Sequence, residues 1–159
     1  MRGNARIETF NANNGGAAYI RFGYFEMYDT SSIYQCTASD GGAFYLYQEG
    51  AHVTLNDQAK IEKCEASSDG GTVYMYGGYF TIEGGSIKQC NADSRGGAIF
   101  MDTTSGSPTV TLNNGTISNN TATSSGNAIY AGKKVLSAEA TINISDDFVI
   151  DQSEIYRAN

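Results

Sequence analysis

One short block returns five times along the chain, and its regular return limits the fold more than any other feature. The copies are Gly15-Gly16-Ala17-Ala18-Tyr19, Gly41-Gly42-Ala43-Phe44-Tyr45, Gly70-Gly71-Thr72-Val73-Tyr74, Gly96-Gly97-Ala98-Ile99-Phe100 and Gly126-Asn127-Ala128-Ile129-Tyr130. Their first glycines lie 26 (41 − 15), 29 (70 − 41), 26 (96 − 70) and 30 (126 − 96) residues apart. A second block precedes each copy: Ile7-x-x-Phe10-x-Ala12, Ile33-x-x-Cys36-x-Ala38, Ile61-x-x-Cys64-x-Ala66, Ile87-x-x-Cys90-x-Ala92 and Ile117-x-x-Asn120-x-Ala122. A third falls between them: Phe25-Glu26-Met27, Val53-Thr54-Leu55, Phe80-Thr81-Ile82 and Val110-Thr111-Leu112. Three motifs in fixed order at such a period are the signature of a solenoid.

Periodicity names the solenoid. The first and third motifs alternate with period 2, as half-buried strands do, and no window sustains helical spacing. Each unit therefore reads as three short strands and three corners. Glycine serves one corner, where it adopts positive φ without a Cβ penalty; Asn, Asp and Ser serve the others. One such unit buries too little apolar surface to offset the entropy of ordering it, so units must stack and share backbone hydrogen bonds. The expected fold is all-β: a right-handed single-stranded parallel β-helix of about five coils of 26–30 residues, three short strands each. It fills residues 1–159 as one domain, with a less regular last coil over 138–159, and reads as a segment of a longer repeat protein. Residues 102–108, holding the only proline, read as a corner insertion.

Stacking turns the repeat into ladders. The inward ones are Ala18, Phe44, Val73, Ile99, Ile129; Ile20, Leu46, Met75, Met101, Ala131; Phe25, Val53, Phe80, Val110; Met27, Leu55, Ile82, Leu112; and Ile7, Ile33, Ile61, Ile87, Ile117. Phe10, Cys36, Cys64, Cys90 and Asn120 form a structural corner ladder, in which the three thiols are expected inward and free. The same parity turns Tyr19, Tyr45, Tyr74, Phe100 and Tyr130 outward in one column, with Tyr47 and Tyr76 beside it.

The Gly-Gly-Ala-Ile of residues 96–99 and the Ile117-x-x-Asn120 block resemble the Gly-Gly-Ala-Ile and Phe-x-x-Asn repeats of the chlamydial polymorphic outer-membrane proteins. Similar repeats occur in adhesin-like surface proteins of other microbes and of some protists. The resemblance covers residues 7–131, with Ile in place of Phe and, in three units, Cys in place of Asn. It implies a β-helical adhesin-type protein, extracellular or at a cell surface.

Charge and composition narrow the function. Ten Lys and Arg against 17 Asp and Glu give a net charge of −7. No basic run stands out, so nucleic acid is not an expected partner. No apolar stretch approaches the roughly 20 residues of a membrane-spanning helix, so direct membrane insertion is not expected. Three cysteines 28 (64 − 36) and 26 (90 − 64) residues apart, with a single histidine, suggest no metal site and no cofactor. His52 is expected outward beside Thr54, without catalytic duty. The outward strips Glu26, Thr54, Thr81, Thr111 and Tyr34, Glu62, Lys88, Ser118 bring no two carboxylates together in adjacent coils, the minimum for paired acid–base chemistry. The chain thus reads as a non-enzymatic structural or adhesive β-helix, assembling into a rod or filament through an outward aromatic face of Tyr19, Tyr45, Tyr47, Tyr74, Tyr76, Phe100 and Tyr130. Its partners would be neighbouring coils, copies of itself, a glycan or a host or cell-surface protein. The alternative is a carbohydrate-binding or polysaccharide-degrading β-helix, a lyase or glycosidase; ice binding by the Thr54, Thr81, Thr111 column ranks below that. Asn114, Asn119 and Asn143 each begin a glycosylation sequon.

Overall fold

The computed structural model describes residues 1–104, 106–133, 138–150 and 154–158. The described chain is a parallel β-solenoid. Its first coil runs β1 (Arg6–Glu8), β2 (Asn11–Asn14), β3 (Ala18–Ile20), β4 (Gly23–Met27); its second β5 (Ser32–Tyr34), β6 (Thr37–Asp40), β7 (Phe44–Leu46), β8 (Ala51–Leu55). The third runs β9 (Lys60–Glu62), β10 (Glu65–Ala66), β11 (Val73–Met75), β12 (Tyr79–Ile82); the fourth β13 (Ser86–Lys88), β14 (Asn91–Ala92), β15 (Ile99–Met101), β16 (Thr109–Leu112). The fifth holds β17 (Gly115–Ser118), β18 (Thr121–Ala122), β19 (Ile129–Ala131) and β20 (Thr141–Ile144). A partial sixth holds β21 (Phe148–Val149) and β22 (Ile155–Arg157).

Equivalent strands pair in parallel and in register, giving four sheets: face A from β1 to β21, face B from β2 to β18, face C from β3 to β22 and face D from β4 to β20. Every expected inward ladder is present as a register column, for example Phe44↔Val73↔Ile99↔Ile129 and Val53↔Phe80↔Val110. Phe44, Phe80, Leu46, Met75 and Ile82 are fully buried. The first and last rungs, among them Ile7, Phe25, Ile142 and Ile155, are only partly buried because each has a neighbour on one side.

Each coil carries four strand columns where motif counting gives three. The second motif is split in two by a residue in the left-handed region: Thr9, Gln35, Lys63, Gln89 and Asn119, with φ between 51° and 58°. That conformation is costly for a side-chain-bearing residue, but its amide still bonds across the gap. Thr9, Gln35 and Lys63 donate to the carbonyls of Tyr34, Glu62 and Lys88 at 3.0–3.1 Å. The peptide ladder thus continues around the corner, and the next side chain swings into the core. Cys36, Cys64 and Cys90 fill that slot, buried and free, and Asn120 fills it in the fifth coil. Asn120 accepts from the Cys90 amide at 2.9 Å and donates to the Ile87 carbonyl at 3.4 Å, so its amide is satisfied. Hydrogen bonding to Cys36 and Cys90, together with burial, pushes the Cys64 thiol up. Phe10 departs from the expected ladder: its backbone keeps the register, its carbonyl accepting from Thr37, but its ring is 60% exposed. The slot is sized for Cys or Asn, and on the first rung the ring turns outward.

The glycine pair divides two tasks. The first glycine holds positive φ, 63–70° at Gly15, Gly41, Gly70, Gly96 and Gly126. The second makes room for the next coil. A Cβ on Gly16, Gly42, Gly71 or Gly97 would lie 2.2–2.3 Å from the carbonyl oxygen of Gly42, Gly71, Gly97 or Asn127, respectively. Asn127 takes the second position where β18 ends face B, and its side-chain oxygen accepts from the Ala122 amide at 3.0 Å. This side chain thus supplies the acceptor for an outward-facing amide of β18.

Candidate functional site

The groups that sequence reading singles out are spread over the faces and corners of the solenoid, and the register places them. Tyr19, Tyr45, Tyr74, Phe100 and Tyr130 form one continuous column on face C, and Tyr156 of β22 extends it. Successive ring centroids lie 5.1, 4.8, 5.0, 5.2 and 5.1 Å apart. Interplanar angles are 3–15°, except for 35° between Tyr74 and Phe100. Rings this close and this parallel stack with an offset. Their faces therefore cover one another in part along the rod, and the end rings Tyr19 and Tyr156 remain 48% and 45% exposed.

Phe100 is outward by parity yet only 4% exposed. The Arg95 guanidinium lies 4.5 Å from its ring centroid and 5.1 Å from that of Tyr130. Arg95 is held there by Asp69, which is 5% exposed and accepts from Nε at 3.1 Å and from Nη2 at 2.6 Å. This bidentate pair pushes the Arg95 guanidinium still further up, so it stays charged over the rings. Burial, then the Asp40 carboxylate, pushes the Tyr45 hydroxyl up to about 12. Burial and a 2.6 Å hydrogen bond to Asp102 push the Tyr74 hydroxyl up as well.

Tyr47 and Tyr76 stand beside this column as a stacked pair, 5.7 Å between centroids at 7°, and Tyr47 joins it to the column by stacking on Tyr19 at 5.9 Å. His52 has a place that sequence reading misses. It is sandwiched between Tyr24 at 4.6 Å and Tyr79 at 4.8 Å, a third stack on face D. The signal was available, since Tyr24, His52 and Tyr79 share one register position.

Carboxylates do meet in adjacent coils, but at corners outside the strips first considered. The position before the first glycine holds Asn14, Asp40, Asp69, Arg95 and Ser125. Asp40 accepts from the Asp69 amide at 3.3 Å, and Asp69 from the Arg95 amide at 3.0 Å. At the corner from face D to face A, Asp29 accepts from the Gly3 amide at 2.8 Å and Asp57 from the Asp29 amide at 2.9 Å. Each of these four carboxylates caps a backbone amide of a neighbouring coil, which fixes it as an acceptor. On the strands, the outward columns are Glu26↔Thr54↔Thr81↔Thr111 and Glu8↔Tyr34↔Glu62↔Lys88↔Ser118. Neither sets two carboxylates side by side. Among the described residues no group of three or more His, Cys, Asp or Glu side chains is arranged to hold a metal ion.

Asn114 and Asn119 are exposed at corners, and Asn143 is exposed on β20 with its amide 3.5 Å from the Thr111 hydroxyl. Neither a family model, nor a curated protein, nor a solved structure matches this chain.

Proposed function

We propose that the chain is a non-enzymatic structural or adhesive β-helix, extracellular or at a cell surface, that makes lateral contacts through the aromatic column of face C. The six-ring column from Tyr19 to Tyr156 carries this reading. A contiguous aromatic strip on a surface favours an interface, and phenol hydroxyls add polar contacts that fix register. Rungs about 5 Å apart match the rise of any other parallel solenoid, so a second copy laid alongside meets the column rung for rung. Kinship with the polymorphic outer-membrane protein repeats belongs to the same proposal. Its support is the Gly-Gly corner, whose two glycines each have a separate steric duty. A non-enzymatic role is supported by corner carboxylates already engaged in capping amides.

Sedimentation velocity on the parent and on a Tyr19→Ser, Tyr130→Ser double variant tests the contact face, with circular dichroism as the control for folding. The proposal expects reversible self-association, or retention on a cell surface, that the double variant loses while keeping its β-sheet spectrum. A parent that stays monomeric at high concentration and binds no surface, or a variant that associates equally well, overturns it.

A further inference from the structure

We infer a second, separate site: the groove where face C turns into face D in coils one to four binds a neutral oligosaccharide. Unequal loops build it. The connections are residues 21–22, 47–50, 76–78 and 102–108 in successive coils, so a short third-coil loop sits between longer neighbours. The floor is glycine. A Cβ on Gly77 would lie 3.2 Å from the Gln48 backbone, and one on Gly106 would lie 2.1 Å from the Tyr76 carbonyl oxygen. The result is an open trough of about 410 Å³, within the range of ligand sites.

Three aromatic rings line the trough: Phe22 and the stacked pair Tyr47 and Tyr76. Phe22 is 68% exposed, and its Cδ1 lies 2.7 Å from where a Gly50 Cβ would stand, so it is seated on glycine backbone. Exposing so much of a phenyl ring is unfavourable by the area it leaves in water. A ring supported from beneath by backbone is a platform for an apolar face. Polar groups stand beside it. Arg21 Nε donates to Gln48 Oε1 at 3.3 Å, which fixes the amide with its nitrogen left to donate. Glu49 is exposed, and among the described residues no group pairs with its carboxylate.

A pyranose fits this combination. It carries an apolar C–H face that lies on an aromatic ring and a rim of hydroxyls that donate to a carboxylate and accept from an amide. At the groove the Glu49 carboxylate is accompanied by the Arg21 guanidinium, so the local charge is balanced, and the net charge of −7 disfavours anionic sugars. Its lining residues come from four successive coils, so a chain of sugar units laid along the rod meets several of them. Tyr47 stacks on Tyr19 of the six-ring column, but Phe22, Gln48, Glu49 and Tyr76 lie outside it, so Phe22→Ala tests this site apart from lateral association.

Amide chemical-shift mapping of the intact chain tests it, with cellotetraose, maltotetraose and tri-N-acetylchitotriose as neutral probes and tetragalacturonate as the anionic comparator. At least one neutral probe is expected to shift the amides of Phe22, Gly50 and Gly77 while leaving those of Gly16 and Gly42 unmoved. Phe22→Ala is expected to weaken that binding roughly tenfold or more, with the spectrum otherwise unchanged. Glu49→Gln is expected to narrow the preference over tetragalacturonate. The inference is overturned if no neutral probe moves those amides at about 20 mM, a concentration that saturates even millimolar sites. It is equally overturned if Phe22→Ala binds as well as the parent, or if tetragalacturonate binds the parent as tightly as the best neutral probe.

Discussion

Replacing Gly71 by Ala isolates the contact between coils from every other role of the glycine pair. Gly71 is not among the glycines at positive φ, so alanine is conformationally acceptable there. The added Cβ, however, would lie 2.2 Å from the Gly97 carbonyl oxygen and 2.6 Å from that of Asn91. An ordinary carbon–oxygen approach is roughly 3.3 Å, so the corner must open by about 1 Å. Both atoms it meets are backbone, which no rotamer change relieves. The opening breaks two bonds of the corner, Gly71 amide to Gly96 carbonyl at 3.0 Å and Gly70 amide to Arg95 carbonyl at 2.9 Å. Overpacking at about 1–3 kcal/mol and two hydrogen bonds at about 1 kcal/mol each give a loss of about 3–5 kcal/mol. At this chain length that lowers Tm by roughly 10 °C. Urea unfolding followed by far-ultraviolet circular dichroism and by tyrosine fluorescence measures it, and coincident transitions justify two-state treatment. Asn127→Ala is the control: among the described residues no strand pairs with the outer side of β18, and the bond to the Ala122 amide is lost, about 0.5–1.5 kcal/mol. A Gly71→Ala protein within about 1 kcal/mol of the parent refutes the close coil-to-coil approach.

Three further outcomes follow from the site geometry. Tyr45 is pushed up to about 12, so its neutral form favours the folded state. The stability it lends is complete below the free phenol value near 10 and is lost as pH rises towards 12; Tyr45→Phe should therefore blunt alkaline unfolding in that window, read by absorbance at about 295 nm. Asp69→Asn removes the carboxylate that holds Arg95 over Phe100 and Tyr130; because Arg95 is partly exposed the expected loss is about 1–3 kcal/mol, and Arg95→Lys should recover little of it because an ammonium cannot make the bidentate pair. Cys36, Cys64 and Cys90 are buried and free, so a thiol reagent should find none of them in the native protein and all three after denaturation; fast labelling of Cys64 in the native state contradicts the inward ladder.

Sequence and structure agree where neighbours on both sides enforce one answer. The inward ladders were legible because a two-residue alternation places Phe44, Val73 and Ile99 on one face whatever the loops do, and a slip of one residue would expose them all. The aromatic column follows from the same parity, since Tyr45 and Tyr74 are the residues between buried ones. What escaped depends on partners 26–30 residues away across corners of varying length. The left-handed residues Gln35 and Lys63 have side chains, so no glycine announces the fourth strand column. Asp69 and Arg95 look unrelated in sequence and meet only once two coils are stacked. Phe10 shares its motif position with buried cysteines but occupies the first rung, where one neighbour is missing. The Phe22 trough arises from the difference in length between four loops, which no single repeat contains.

Contacts between amide and α protons across coils test the registered stacking most directly. The account predicts nuclear Overhauser effects in a parallel-strand pattern linking Val73 to both Phe44 and Ile99, and Tyr74 to both Tyr45 and Phe100. Antiparallel connectivities, or a pairing offset by one residue that turns Tyr74 inward, would contradict the solenoid and remove both the ring column and the groove.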